Sequence, residues 1–314
     1  MSSQKTALLA RIGFVLALCL LLAISSSAFL TTNNLLNVLR QASLVFLIAS
    51  GLTLVILTAG IDLSVGANVG LSACLCAVVL KASGSILLAV VAGLACGAVI
   101  GLANSLFIVL LAIPPFIATY GMLWIVNGIT YKLMSGTTIE GFPPGFRFIG
   151  SGYWLGIPVP IYLMLGFFAA GALFARHTRH GRELFAIGAN PVAARLSGIP
   201  VRARLILVYT VCGAMAGLSG LVYLARLNSA EADIGDPMLL PAVAAVLVGG
   251  TSLFGGQGGL SGTLIGAVIV TLVLNGMNLM SVSSNWQPMI TSIILLGAVL
   301  TDTLVRRHAE GAAK

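Results

Sequence analysis

The sequence predicts an all-α, polytopic membrane protein with about ten transmembrane helices, and three observations carry that reading. Apolar residues fill 59% of the 314 positions and charged residues only 8%, where a soluble domain carries about 25% charged. The mean hydropathy is +1.09. The apolar residues form continuous runs of the ~20 residues that a helix needs to cross ~30 Å of hydrocarbon. They do not alternate as the strands of a membrane barrel would.

The expected crossings are residues 10–30, 41–60, 64–81, 86–110, 115–134, 157–175, 205–226, 239–252, 259–280 and 286–304, within a single membrane domain covering 1–314. The first follows Lys5 and Arg11 and ends near Ser26-Ser27-Ala28. That pattern also suits a signal peptide, but Ile12 to Leu30 is long enough to span and is read as a retained helix. The second crossing starts after Arg40 and the third ends at Lys81. The fifth opens on Pro114-Pro115, and proline suits a first helical turn. The sixth ends at Arg176, the seventh begins after Arg204, and the tenth stops before Arg306 and Arg307. A glycine-rich stretch separates the eighth from the ninth.

The formal net charge is +8, and its placement orients the chain. Arg176, Arg179, Arg182, Arg195, Arg202 and Arg204 share one polar segment, 176–204, while Lys5, Arg11, Arg306, Arg307 and Lys314 flank the termini. Basic residues mark cytoplasmic loops. This segment and both termini are therefore expected in the cytoplasm, with an even number of crossings between them. Residues 135–156 and 227–238 become periplasmic loops, with Tyr153 and Trp154 at headgroup level. The arginines flank crossings and form no domain of their own, so nucleic acid is not an expected partner. The five cysteines lie in apolar segments without a CxxC and read as small buried apolar residues. The three histidines sit beside arginines, and no metal site is expected.

Two segments are irregular. One is TAGIDLSVGAN (58–68), which holds Asp62; the other is LVGGTSLFGGQGG (247–259). Lipid tolerates irregular backbone only against protein or a cavity. Aligning Gly60 with Gly250 also aligns Leu63 with Leu253 and Gly66 with Gly256, and GAVI occurs at 97–100 and 266–269. These are faint traces of an inverted repeat of the kind transporters use. Gly60, Asp62, Ser64 and Gly66, with Gly249, Gly250, Gly255 and Gly256, are the expected gate or hinge.

The polar segment hides a short helix. Asn190 can cap it and Pro191 suits its first position. Val192, Ala193, Ala194, Arg195, Leu196 and Ser197 continue it, Gly198 can end it in a left-handed conformation, and Pro200 prevents resumption. Two turns are not stable alone in water, so this helix needs a surface, either its own membrane domain or a partner. A P-loop needs GxxxxGK followed by Ser or Thr. The only lysines are 5, 81, 132 and 314, none after a glycine, so the chain carries no nucleotide motif of that kind and is not expected to be an enzyme.

The motifs GIDLSVG (60–66), PPFIAT (114–119), HTRHGRELFAIGANPVAARLSGI (177–199), YLARLNSA (223–230), VLVGGTSLFGGQGG (246–259) and NGMNLMSVSS (275–284) resemble the permease subunit of ribose-type sugar ABC importers, over residues 33–302. The resemblance implies a bacterial inner-membrane location and a second permease chain, identical or related. It implies a cytoplasmic ATPase that binds the ATP and Mg, with no cofactor in this chain, and a periplasmic sugar-binding protein. Residues 190–198 match the family's coupling helix, so Asn190, Pro191, Ala193, Ala194, Arg195, Leu196 and Gly198 are the expected ATPase-coupling residues. Members often carry acidic residues where this chain reads DPMLLPAV (236–243).

At Asp62 the residues read either as a helix cap, by Asp62 or Ser64, or as a charged hinge near the inner gate or a contact to the ATPase. Sugar contacts should be polar, neutral and midway through crossings: Asn104, Thr119, Asn127, Asn275 and Asn278, the last two on one helix face at a spacing of three. Taken singly, each reads first as an interhelical hydrogen bond. A permease of the same family for a non-sugar polar solute is the alternative. A proton-coupled transporter wants titratable groups at the midplane, whereas Asp62 and Asp302 fall at cytoplasmic ends. A serine protease needs a base within reach of GLSG, and no histidine lies inside a crossing.

Overall fold

The computed structural model describes residues 3–311 of the chain, with side chains from 9 to 304. The elements are α1 (Ser3–Ser25), α2 (Thr32–Leu57), α3 (Val65–Ser83), α4 (Ile86–Val109), α5 (Pro115–Met134), α6 (Pro144–Ser151), α7 (Val159–His177), α8 (Arg179–Ala189), α9 (Pro191–Leu196), α10 (Val201–Leu227), α11 (Leu239–Val248), α12 (Leu260–Leu279) and α13 (Gln287–Gly311). Seven helices among the described residues, α2, α3, α4, α7, α10, α12 and α13 with the turn before it, are long and apolar enough to cross a membrane. The chain is an all-α, multi-pass membrane protein.

Helix α10 is the axis, packed by α2, α3 and α4. Its seam with α4 is made of glycine. Gly93, Gly97 and Gly101 repeat every four residues on α4 and face Gly213 and Gly217 on α10. A methyl group on Gly101 would lie 2.1 Å from the Tyr209 carbonyl oxygen, and one on Gly213 would lie 2.2 Å from that of Gly97. Between helices in lipid there is no hydrophobic drive, and small residues let dispersion and hydrogen bonding act at close range.

This seam also sets depth. Near the start of α3, Asn68 donates its amide to the carbonyls of Gly97 (3.1 Å) and Gly213 (3.3 Å). Those glycines lie at the middle of the 24-residue α4 and the 27-residue α10. Helix α3 therefore starts level with the middle of α4 and α10; it is long and apolar enough to cross, as expected at 64–81, and the irregular residues 58–64 lead into it. A second break faces it. The Cys74 thiol donates to the Glu231 carbonyl, and Gly235 packs on Gly70 and Gly66, so residues 231–238 descend along α3. Helix α11 begins at this level and has ten residues, about 15 Å. The crossing expected at 239–252 is thus a half-helix, and the expected outer loop 227–238 dips inward. Residues 236–238 form a 3-10 turn that runs into α11, and Gly235 before it packs on the glycine face of α3.

At the end of the bundle away from the arginines, Ile139–Glu140 pairs antiparallel with Ser229–Ala230. The two expected periplasmic loops therefore meet at one end. At that end Arg40 lies over the Tyr153 ring, 5.0 Å from its centroid.

Candidate coupling site and gate

At the arginine-rich end, α8 stands on one carboxylate. Glu183 is buried at 5% exposure. It accepts hydrogen bonds from Arg204 on α10 and from Arg179 one turn back (2.8 Å). The hydrogen bond from Arg204, helped by that from Arg179, holds the carboxyl below its usual range, against burial that pushes it up. Helix α9 follows at once. Asn190 Oδ1 accepts from the amides of Val192 and Ala193, both at 3.0 Å. At its other end the Ile199 amide reaches the Ala194 carbonyl (3.1 Å) and the Gly198 amide reaches that of Arg195 (3.0 Å). Gly198 sits at φ 79°, the left-handed ending the sequence predicts.

Helix α9 has two faces. Ala194 is buried against Ile187 and Val201, whereas Val192 and Leu196, one turn apart, are 67% and 85% exposed. This corrects the expectation that Ala194 meets an ATPase: residues two apart point to different sides of a helix, and Ala194 holds α9 to its own domain. The outward pair is Val192 and Leu196.

Behind α9, three backbones converge. The Gly256 amide donates to the Leu57 carbonyl (3.0 Å). A methyl group on Gly188 would fall 1.9 Å from that same oxygen and 2.4 Å from the Gly256 nitrogen, and one on Gly255 would fall 2.7 Å from the Ala59 nitrogen. The two irregular glycine segments, 58–68 and 247–259, thus touch each other and the end of α8. Gly249 and Gly250 lie further along, against Gly262 and the Arg11 side chain.

Asp62 is 1% exposed. Its Oδ1 accepts from the Ser64 amide (2.9 Å), the Ser64 hydroxyl (2.6 Å) and the Asn104 amide (3.4 Å), and Asn104 also donates to Ser64 Oγ (2.8 Å). Ser64 precedes α3 with no side-chain capping bond of its own. The capping expectation is corrected to this extent: Asp62 closes a turn on Ser64 before the helix begins. The neighbouring Ile61 carbonyl accepts from Tyr209 on α10 (3.2 Å) and from Thr119 on α5 (3.4 Å). A methyl group on Gly60 would meet the Tyr209 hydroxyl at 2.6 Å. Residues 60–64 are held between three helices by side-chain hydrogen bonds, not by a helical ladder, so the segment can be re-set without breaking a helix.

The family described as "Branched-chain amino acid transport system / permease component" matches residues 34–299. The chain belongs to this permease family. The ribose import permease protein RbsC of Escherichia coli (strain K12) is 42% identical over 295 residues, 92% of each chain. RbsC of Bacillus subtilis (strain 168) is 42% identical over 287 residues, 91% of this chain and 89% of that one. The galactose/methyl galactoside import permease protein MglC of Escherichia coli (strain K12) is 35% identical over 315 residues, 93% of this chain and 94% of that one. No solved structure matches.

In this permease the five expected path residues separate. Asn104 and Thr119 fasten the 60–64 segment. Asn278 is exposed at the C-terminal end of α12 and accepts from Gln287 (3.0 Å), whereas Asn275 is buried. Asn275 makes a reciprocal amide pair with Asn34 on α2, at 2.8 and 3.2 Å, and that pair occupies it. Asn127 lines a cavity. Removing Asn34 and Asn275 singly and together should give a coupling of about 0.6–1.7 kcal/mol in the melting of solubilised permease, with uptake per folded molecule unchanged. Lost uptake at unchanged stability would return Asn275 to the path.

Glu183 and Gly188 escaped the sequence reading, as did the outward direction of Val192 and Leu196. Glu183 left one signal, as a lone carboxylate among six arginines. The others depend on which helix lies opposite.

Proposed function

We propose that this permease is the translocation subunit of an ATP-driven importer of a monosaccharide. It crosses the membrane ten times, counting the descending segment with α11 as one crossing, with both termini in the cytoplasm. A cytoplasmic ATPase binds at α9, a sugar-binding protein delivers at the end carrying residues 135–156, and a second permease chain, identical or related, completes the path. The observation that carries this reading is α9: two exposed aliphatic residues on a capped two-turn helix among arginines, joined by backbone contacts to the break before α3. The sugar assignment is supported by relatives whose names specify ribose, galactose or methyl galactoside, and D-allose at 34% identity.

A push on α9 acts through Gly188 on the Leu57 carbonyl and Gly256. From there it reaches residues 58–64, whose hydrogen bonds to Tyr209, Thr119 and Asn104 have to be re-made for α3 to move. The chain's part in transport is mechanical and needs no nucleophile or base.

The test is reconstitution in liposomes with the cognate ATPase and binding protein, offering ribose, allose and galactose. ATP-dependent accumulation of at least one sugar is expected with all components present. The permease alone should neither hydrolyse ATP nor accumulate sugar. Uphill uptake by the permease alone on a proton gradient overturns the reading, and accumulation of only a non-sugar solute overturns the sugar assignment.

A further inference from the structure

A cavity of about 220 Å³ lies where the two breaks meet, lined by Gly66, Ala67, Leu123, Trp124, Asn127, Asp236 and Leu239. Asn127 and Asp236 line it from facing elements, and Asp236 is exposed. Trp124 is 60% exposed. Asp236 precedes the ten-residue α11 and adjoins Gly235, which touches Gly66 and Gly70, so it sits level with the midpoints of α4 and α10, which Asn68 binds. An exposed carboxylate at that depth does not face lipid; intramembrane charges face a bundle interior or a water-filled cavity. The same holds for the neighbouring ring. Tryptophan on a lipid face gathers at the headgroup level, but Trp124 is the tenth of the 20 residues of α5.

Two more exposed rings continue from it, one turn apart. Tyr120 lies 6.3 Å from Trp124 and Phe116 6.0 Å from Tyr120, between centroids. This ladder runs toward the arginine-rich end, past Thr119 and its bond to Ile61.

We propose that Trp124, Asn127 and Asp236 form the sugar-contact site of the permease, and that Tyr120 and Phe116 carry the sugar from it toward the cytoplasmic gate; this rests on the importer reading above. The chemistry fits a polyol ring. A sugar presents C–H bonds on its flat faces, which suit the electron-rich face of an indole, and hydroxyls at its rim, which donate to a carboxylate and exchange with a carboxamide. The binding residues lie beside the break before α3, so occupancy is felt where the gate is held. The cavity is smaller than the ~300–1,000 Å³ of sites that enclose a ligand and is open along α5, the side a second permease chain would close.

The test uses the complete reconstituted importer and a sugar the wild type imports. Trp124→Ala and Asp236→Ala should each lower uptake at limiting sugar at least about tenfold, equivalent to 1.4 kcal/mol, while co-purification with the ATPase and the melting temperature stay at wild-type values. Trp124→Phe, which keeps a ring, should retain most of the uptake. If the alanine variants assemble and import at the wild-type rate, the site is overturned and the importer reading stands. If the wild-type complex imports none of the three sugars, it is the sugar assignment that has failed, a result distinct from failure of the site. Should an alanine variant not assemble, Trp124→Phe and Trp124→Leu decide: equal uptake by the two overturns the role of the ring.

Discussion

A permease carrying Gly101→Leu should yield no folded protein to assay. The first carbon of the new side chain would lie 2.1 Å from the Tyr209 carbonyl oxygen and 3.1 Å from the Gly213 Cα. Both are backbone atoms, so no rotamer relieves the clash, and α4 and α10 have to separate. Separation costs more than dispersion along the seam. Asn68 loses the two carbonyls that bind its amide, and Tyr209 shifts away from the Ile61 carbonyl. Overpacking a core side chain costs about 1–3 kcal/mol; here two helices move together, and the loss should exceed the ~4–5 kcal/mol that marks exceptional substitutions. The measurement is the yield of monodisperse permease in detergent. Gly166→Leu on α7, where an added carbon meets nothing within 4 Å, is the control and should purify like the wild type. Wild-type yield and melting of Gly101→Leu would refute the backbone seam.

The second large effect separates assembly from folding. Val192→Glu with Leu196→Glu should abolish co-purification with the ATPase, and with it uptake, while the melting temperature of the permease stays unchanged. Both side chains project into water, so charging them removes nothing from the core. Ala194→Glu should do the reverse: at 4% exposure, Ala194 has no room for a carboxylate, and a buried unpaired charge is costly. The permease should melt earlier, whatever its partner does. If the double variant still binds the ATPase and imports sugar, α9 is not the docking element.

The sequence made some of this legible because its signals are local. The capped helix at 190–198 announces itself through Asn190, Pro191 and Gly198, and each does in three dimensions what its chemistry prescribes. The apolar runs likewise mark which segments are in lipid. They say nothing about depth. Val65–Ser83 is long and apolar enough to cross, but its level against the centres of α4 and α10 is set by Asn68 and cannot be read from hydropathy. Helix α11 looks like a full crossing when Leu239–Val248 is read together with the glycines after it. Orientation was hidden for the same reason. Asn275 and Asn278 share a spacing but not an environment, and Ala194 faces inward only because Ile187 and Val201 lie beneath it.

The junction of Leu57, Gly188 and Gly256 constrains the energetics as well as the shape. It contains no side chain that could yield, so displacement at one end reaches the other with little slack. Coupling free energy is symmetric between two binding events. If engaging the ATPase changes the affinity of the outward-facing permease for its loaded delivery protein by some factor, the loaded delivery protein must change the affinity for the ATPase by the same factor. Under the proposed docking at α9, the three-way contact would carry that factor in both directions.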